Sequence, residues 1–163
     1  AKPLPANATK GAALLPAKPL DAASFFNGRF LSPGLAKRGD GWAWHVPEWR
    51  EISGSFRETF AGLKLLCGGR AGGGVSFEFE GRAVGAYVLA GPDAGVLEVS
   101  IDGGEYKPTN LYHHFSRGLH YPRTVMFATD LAAGKHTIRL RLAKPPGDGV
   151  KGTAARILQF AVN

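Results

Sequence analysis

The feature that most constrains this chain is a two-residue alternation of apolar and polar side chains, repeated in separate segments. Val75-Ser76-Phe77-Glu78-Phe79-Glu80 sends Val75, Phe77 and Phe79 to one side and the polar residues to the other, which is the pattern of a half-buried strand. Leu97, Val99 and Ile101 repeat it over 96–101, with Glu98 and Ser100 expected to face outward. Over 135–142, His136, Ile138, Leu140 and Leu142 oppose Thr137, Arg139 and Arg141. The continuous apolar run Ala83 to Ala90 predicts a more fully buried strand, and further strands are expected at 106–111, 123–129 and 155–162. Turn chemistry separates them: Gly72-Gly73-Gly74, Gly91-Pro92-Asp93-Ala94-Gly95, Asp102-Gly103-Gly104, Ala132-Ala133-Gly134 and a Pro/Gly stretch over 144–152. No segment carries the 3.6-residue repeat of an amphipathic helix. Seven or eight short strands with such punctuation predict an all-β antiparallel β-sandwich of the jelly-roll kind.

A length of 163 residues suits one domain. Residues 1–23 read as a Pro/Ala/Lys-rich linker or tail: Pro3, Pro5, Pro16 and Pro19 alternate with Ala and Lys, and Lys-Pro-Leu occurs at 2–4 and 18–20. The β-sandwich domain is expected over 24–163, opening on Ser24-Phe25-Phe26. Ala83 to Ala90, bounded by Gly81 and Gly91, is too short to span a membrane, so no membrane partner is expected. The chain does not begin with Met and shows no basic-then-apolar leader, which reads as a processed product or an excised fragment.

Net charge is +7, from 20 Lys+Arg against 13 Asp+Glu. Lys2, Lys10 and Lys18 hold part of that excess in the tail. The remaining bias is mild and forms no basic stripe, so nucleic acid is not an expected partner. An acidic or sulfated polysaccharide fits such a bias, as does an ordinary solvated surface. Thr137, Arg139 and Arg141 share one strand face that suits an anion or simply water. The single cysteine, Cys67, excludes an internal disulfide and a multi-cysteine metal site. Following Leu63-Lys64-Leu65-Leu66, it is expected to pack as a small apolar residue.

Several stretches resemble a known accessory domain. They are Gly85 to Gly95 with Ser100-Ile101-Asp102-Gly103-Gly104, Tyr112 to Arg123, Gly134-Lys135-His136-Thr137, and the ending Ala155 to Asn163. Together they look like the non-catalytic β-sandwich, similar to carbohydrate-binding modules, that accompanies many bacterial hydrolases of the SGNH/GDSL superfamily. The resemblance runs from about Phe25 to the end. It implies binding of a polysaccharide or oligosaccharide. An alternative is a structural accessory domain that packs on and completes an SGNH/GDSL carbohydrate esterase, with an upstream catalytic domain in the parent chain. It also implies a secreted or periplasmic location. An SGNH catalytic domain needs Gly-Asp-Ser and a late Asp-x-x-His; neither occurs, and Gly39-Asp40 is followed by Gly41. The chain is therefore expected to be no enzyme and to need no cofactor.

The candidate ligand-binding residues are Trp42, Trp44, Asp93, Tyr112, His113, His114, His120, Tyr121 and Arg123. Planar rings stack on sugar C–H faces, while Arg, Asp and His bond hydroxyls. Each has an opposing structural reading. Tyr112, Phe115 and Tyr121 could cap the core beneath a long loop. Trp42 and Trp44, on one face if 42–44 is a strand, could be core edge rather than platform. Asp93 could bond its own turn, and Asp102 is expected to be purely structural. Three imidazoles invite a zinc reading, but adjacent side chains such as His113 and His114 diverge in extended backbone, and no metal is expected. An independent enzyme built on the histidines lacks an assembled nucleophile–base–acid set.

Overall fold

The structure is a computed structural model that describes Lys18 and residues 27–71, 73–144 and 152–163. The remaining tail residues, with Phe25 and Phe26, and most of the loop expected over 144–152 lie outside the described residues. Eleven strands form among the described residues: β1 Arg29–Leu31, β2 Lys37–Arg38, β3 Trp42–His45, β4 Leu65–Gly68, β5 Gly74–Gly81, β6 Val84–Ala90, β7 Val96–Ile101, β8 Lys107–Asn110, β9 Tyr121–Ala128, β10 Gly134–Leu142 and β11 Ala155–Val162. Among the described residues, helix is confined to single 3₁₀ turns, and none is long and apolar enough to cross a membrane. All strand pairs are antiparallel. One sheet runs β3-β4-β11-β6-β9, with β1 beside β11, and the other runs β2-β5-β10-β7-β8. The chain is an all-β sandwich of two antiparallel sheets.

The alternating segments do what their period dictates. On β5, Val75, Phe77 and Phe79 are buried and Glu78 and Glu80 are exposed. On β10, Ile138, Leu140 and Leu142 join them in the core. Phe77 of one sheet stacks on Phe160 of the other, with centroids 4.1 Å apart, so the layers interlock through one aromatic pair. Ser100 departs from the expected pattern. It is buried because its hydroxyl donates to the Gly104 carbonyl at 2.6 Å, folding the β7–β8 turn back over it.

The run Ala83 to Ala90 is apolar on both faces because β6 is covered on both. Ala86, Val88 and Ala90 meet the inter-sheet core, while Leu89 joins a second cluster on the outer side of the six-stranded sheet. That cluster gathers Trp49, Phe60, Leu65 and Leu89 with Ile52, Phe56, Cys67 and Leu158. The irregular aromatic segment over 46–64 is thus a lid on the sheet, and continuous apolar strands are what such double burial requires.

Candidate functional site

The nine candidate residues fall into three separate places. Trp42 and Trp44 share one face of β3, as the strand reading required, but the face is inward. Trp42 is 6% exposed, its Nε1 donates to the Gly73 carbonyl at 3.0 Å, and its indole lies flat against Gly68 of β4. A Cβ at Gly68 would approach the ring to 2.8 Å, so the contact exists only because that side chain is missing. Trp44 is half-buried against the main core. As a correction to the sugar-platform expectation, Trp42 offers no free ring face, and both indoles sit at the opposite edge of the sheet from β9. Four strand spacings put roughly 19 Å between those edges.

The second place lies under the lid. His120 is fully buried, contrary to its expected role as a ligand contact. Its Nε2 bonds the Ser53 carbonyl at 3.1 Å; a carbonyl only accepts, so Nε2 carries the proton and Nδ1 is bare. Among the described residues, that Nδ1 has no hydrogen-bond partner. The ring stands edge-on to Trp49 at 5.0 Å. It also presses on the Gly91 backbone so closely that a Cβ there would fall 2.2 Å from Cε1. Burial pushes the His120 pKa down; the Arg156 charge pushes it further, against smaller opposing effects of Asp93 and the Ser53 carbonyl.

Asp93 belongs to the same region. It holds Arg156 in a two-pronged pair, 2.8 Å to Nη1 and 2.7 Å to Nη2. Burial alone would raise the Asp93 pKa, but the Arg156 hydrogen bonds and charge bring it below the usual carboxylate value. Its backbone is also fixed, since the Ala154 amide donates to the Asp93 carbonyl at 2.9 Å. Both acceptor oxygens are therefore engaged in structure. Cys67 sits beside this pair on β4, and burial, partly offset by Arg156, pushes its thiol up to about 11.

The third place remains open to solvent. β8 is the edge of one sheet and β9 the edge of the other, so the connection between them must cross the side of the sandwich. Leu111, Ser116 and His120 are its buried anchors. Further ties come from the Leu111 amide to Gly95, the Ser55 amide to Gly118 and the His120 amide to Ser55. Between anchors the expected irregular loop makes a 3₁₀ turn at His114–Arg117, which His113 caps through its ring nitrogen. Tyr112, at 38% exposure, and Phe115, at 56%, point outward with His114.

His113, His114, Phe115 and Tyr121 form one aromatic group. His113 lies 4.0 Å from His114 and is near-parallel to Tyr121 at 5.2 Å; Phe115 is 4.0 Å from His114 and 5.2 Å from Tyr121. The adjacent histidines thus converge rather than diverge, because the 3₁₀ turn replaces extended backbone. Partial desolvation, the His114 ring and the Arg123 charge lower the His113 pKa. Tyr121 and Arg123 lie on β9 opposite Ala90 and Val88, at the open side of the core. Among the described residues no three His, Cys, Asp or Glu side chains gather as a metal set. Phe115 is the member the sequence reading named only as a core cap; its signal was its place between the anchors Leu111 and His120.

No family model matches the sequence, and no curated protein does. Solved structures do match in fold. A two-domain esterase active on acetylated mannans, co-crystallised with mannopentaose, aligns with TM-score 0.62 at 12% identity over 88% of this chain and 38% of its own. An exo-β-1,3-galactanase from Phanerochaete chrysosporium aligns at 0.54 and 21% identity over 83% of this chain and 29% of its own. A family 35 carbohydrate binding module from Clostridium thermocellum aligns at 0.54 and 15% identity over 83% of this chain and 98% of its own. The likeness is one of fold: the two-sheet sandwich is shared with the module and with part of each enzyme. The chain spans about a third of the two enzymes and matches nearly the whole of the module.

Proposed function

We propose that this chain is a non-catalytic carbohydrate-binding module and that its glycan site is the group Tyr112, His113, His114, Phe115, Tyr121 and Arg123. The observation that carries the reading is a cluster of aromatic rings and one guanidinium held at the sandwich side by three buried anchors. Such a surface supplies ring faces for sugar C–H groups and fixed donors for hydroxyls. The likeness to a complete module agrees with that role. Carbohydrate-active neighbours also support secretion.

Features of the chain's own groups support the non-catalytic reading. Gly-Asp-Ser is missing. Cys67, with a pKa of about 11, holds little thiolate at neutral pH. Ser116, the hydroxyl beside His113, is fully buried and accepts the His113 amide at 3.3 Å.

The test is calorimetric titration with mannan, galactan and cello-oligosaccharides. Tyr112→Ala or Arg123→Ala should weaken binding by about 1–2 kcal/mol with the melting temperature retained. Trp42 and Trp44 lie at the far edge of the sheet, so any change in indole emission on binding should come from Trp49, which touches the anchor His120. Undetectable binding of every glycan would sink the reading.

A second reading has its own support. An apolar pocket of about 280 Å³ is lined by Phe30, Ala83, Met126, Ala161 and Val162, with Phe30 58% and Met126 38% exposed. A catalytic domain of a carbohydrate esterase in the same parent chain would cover it, as the two-domain neighbour suggests. Phe30→Ser would then loosen a two-domain protein while leaving the isolated chain unaffected.

A further inference from the structure

The outer face of the five-stranded sheet carries a trough whose shape follows from residue size. β5 presents the small residues Gly74 and Ser76 outward. Lys37 of β2 pairs with Ser76 on one side, and Arg139 of β10 pairs with it on the other. Two long cationic side chains thus flank a short one, with their backbones about 10 Å apart across two strand spacings. The resulting groove of about 550 Å³ is lined by Leu35, Lys37, Ser76, Glu78, Thr137 and Arg139. A second, of about 260 Å³, shares Lys37, Ser76 and Arg139 and continues past Arg38 and Gly74 to Tyr106.

Its charge is uneven. Arg141 is paired with Glu98 at 2.6 Å and lies 3.9 Å over the Tyr106 ring, which braces that ring at the trough end. Lys37, Arg38 and Arg139 line the trough and make no ion pair among the described residues. Glu78 is the acidic residue of the lining. Guanidinium and ammonium groups with no carboxylate partner, set over a floor of hydroxyl and glycine, complement a chain that carries both anions and hydroxyls.

We propose that this trough is a second binding site, independent of the loop cluster, for an anionic glycan bearing carboxylate or sulfate-ester groups. Arg139 and Lys37 bind the anions from opposite walls, while Ser76, Thr137 and Glu78 bond hydroxyls. Glu78 sets this ligand apart from nucleic acid: a carboxylate accepts sugar hydroxyl protons but repels closely spaced phosphates.

The test is affinity electrophoresis of the whole chain in gels containing polygalacturonate, dextran sulfate, neutral galactomannan or duplex DNA. Retardation is expected with polygalacturonate or dextran sulfate at low salt, and the stronger of the two identifies the anion. It should fall about tenfold in Lys37→Gln/Arg139→Gln or at ~0.5 M salt, since both walls are solvent-exposed. Glu78→Gln should strengthen it, a change of sign that damage to the fold cannot produce. Tyr112→Ala should leave it unchanged. The proposal is overturned if neither anionic glycan retards the chain, if DNA retards it equally, or if the double variant binds as the parent does. Loss of retardation by Tyr112→Ala would also overturn it, by assigning the ligand to the loop cluster.

Discussion

His113 and His120 belong to one short connection and end in opposite surroundings. His113 sits in an aromatic group at the surface, with its ring nitrogen accepting from the Phe115 amide. His120 is fully enclosed beneath the lid, with a bare Nδ1. The two differ in what surrounds each chemically similar ring. Around His120 the chain converges from three sides: Ser53 to Ser55, Gly91 to Asp93, and Trp49. Around His113 the ring contacts among the described residues come from the connection itself and the β9 edge. A dense run of rings and charges therefore holds two kinds of residue: anchors fix the backbone, and the residues between them are displayed.

The largest expected effect tests whether the anchor region is structural. Trp49→Ala removes the ring that stacks on Phe56 at 4.5 Å and meets His120 edge-on. Truncation of a buried Trp costs about 3–5 kcal/mol. Phe115→Ala, at an exposed position, should change stability by about 0.5 kcal/mol or less. Denaturant unfolding of both variants measures this, and comparable losses would erase the distinction between anchor and display.

Asp93→Asn should come next. It leaves the Arg156 guanidinium, 8% exposed, with an uncharged partner. A fully enclosed broken pair costs ~3–5 kcal/mol. Asp93 is 37% exposed, and solvent screening reduces the expected loss to about 1–3 kcal/mol. A change within the error of thermal melting would mean that Asp93 is free to serve a ligand.

The layered β architecture was legible because its signal is local. The period-two alternation of β5, β7 and β10 needs only one covered face, and turn glycines marked the breaks. Burial of the candidate site was not legible, because it depends on partners distant in sequence. Nothing near Trp42 reveals that Gly68 lies under its indole. Nothing near Asp93 reveals Arg156, which arrives on the last strand. The continuous apolar run Ala83 to Ala90 predicts full burial of β6, but it does not say what covers the outer side of the sheet. The segment over 46–64 carried the aromatics to provide that cover, yet without helical or strand periodicity it could not be assigned there.

Acid should separate His120 from an ordinary imidazole. Its pKa is lowered by burial first and by the Arg156 charge second. The unfolded chain protonates this ring near pH 6.5, while the folded chain resists until lower pH. The contribution of His120 to stability is thus complete above about pH 6.5 and is lost as pH falls through the depressed folded value. Nuclear magnetic resonance of the ring should show the Nε2–H tautomer persisting below pH 6.5. Titration at or above that pH would contradict the enclosed geometry.

The smallest effect has the opposite sign and comes from His136. Its Nδ1 lies 2.7 Å from an Asp102 carboxylate oxygen and its Nε2 2.8 Å from the Ala132 carbonyl. Both ring nitrogens thus face acceptors, which favours the doubly protonated ring. The Asp102 hydrogen bond first, and the Ala132 carbonyl second, raise its pKa. The same His136 bond, then the Thr137 amide, lower that of Asp102. The pair therefore contributes fully between the unfolded values of about 3.9 for Asp and 6.5 for His. Its contribution fades as pH rises through the raised His136 value, and again as pH falls through the lowered Asp102 value. Asp102→Asn is a clean probe, because φ of 52° at this position is one that Asn adopts readily and the amide oxygen can still accept from Thr137. Melting curves of parent and variant should differ most between about pH 4 and 6.5 and converge in alkali. An offset that stays constant from pH 5 to 9 would show that the carboxylate acts through turn geometry alone. His120 and His136 would then no longer give opposed pH slopes.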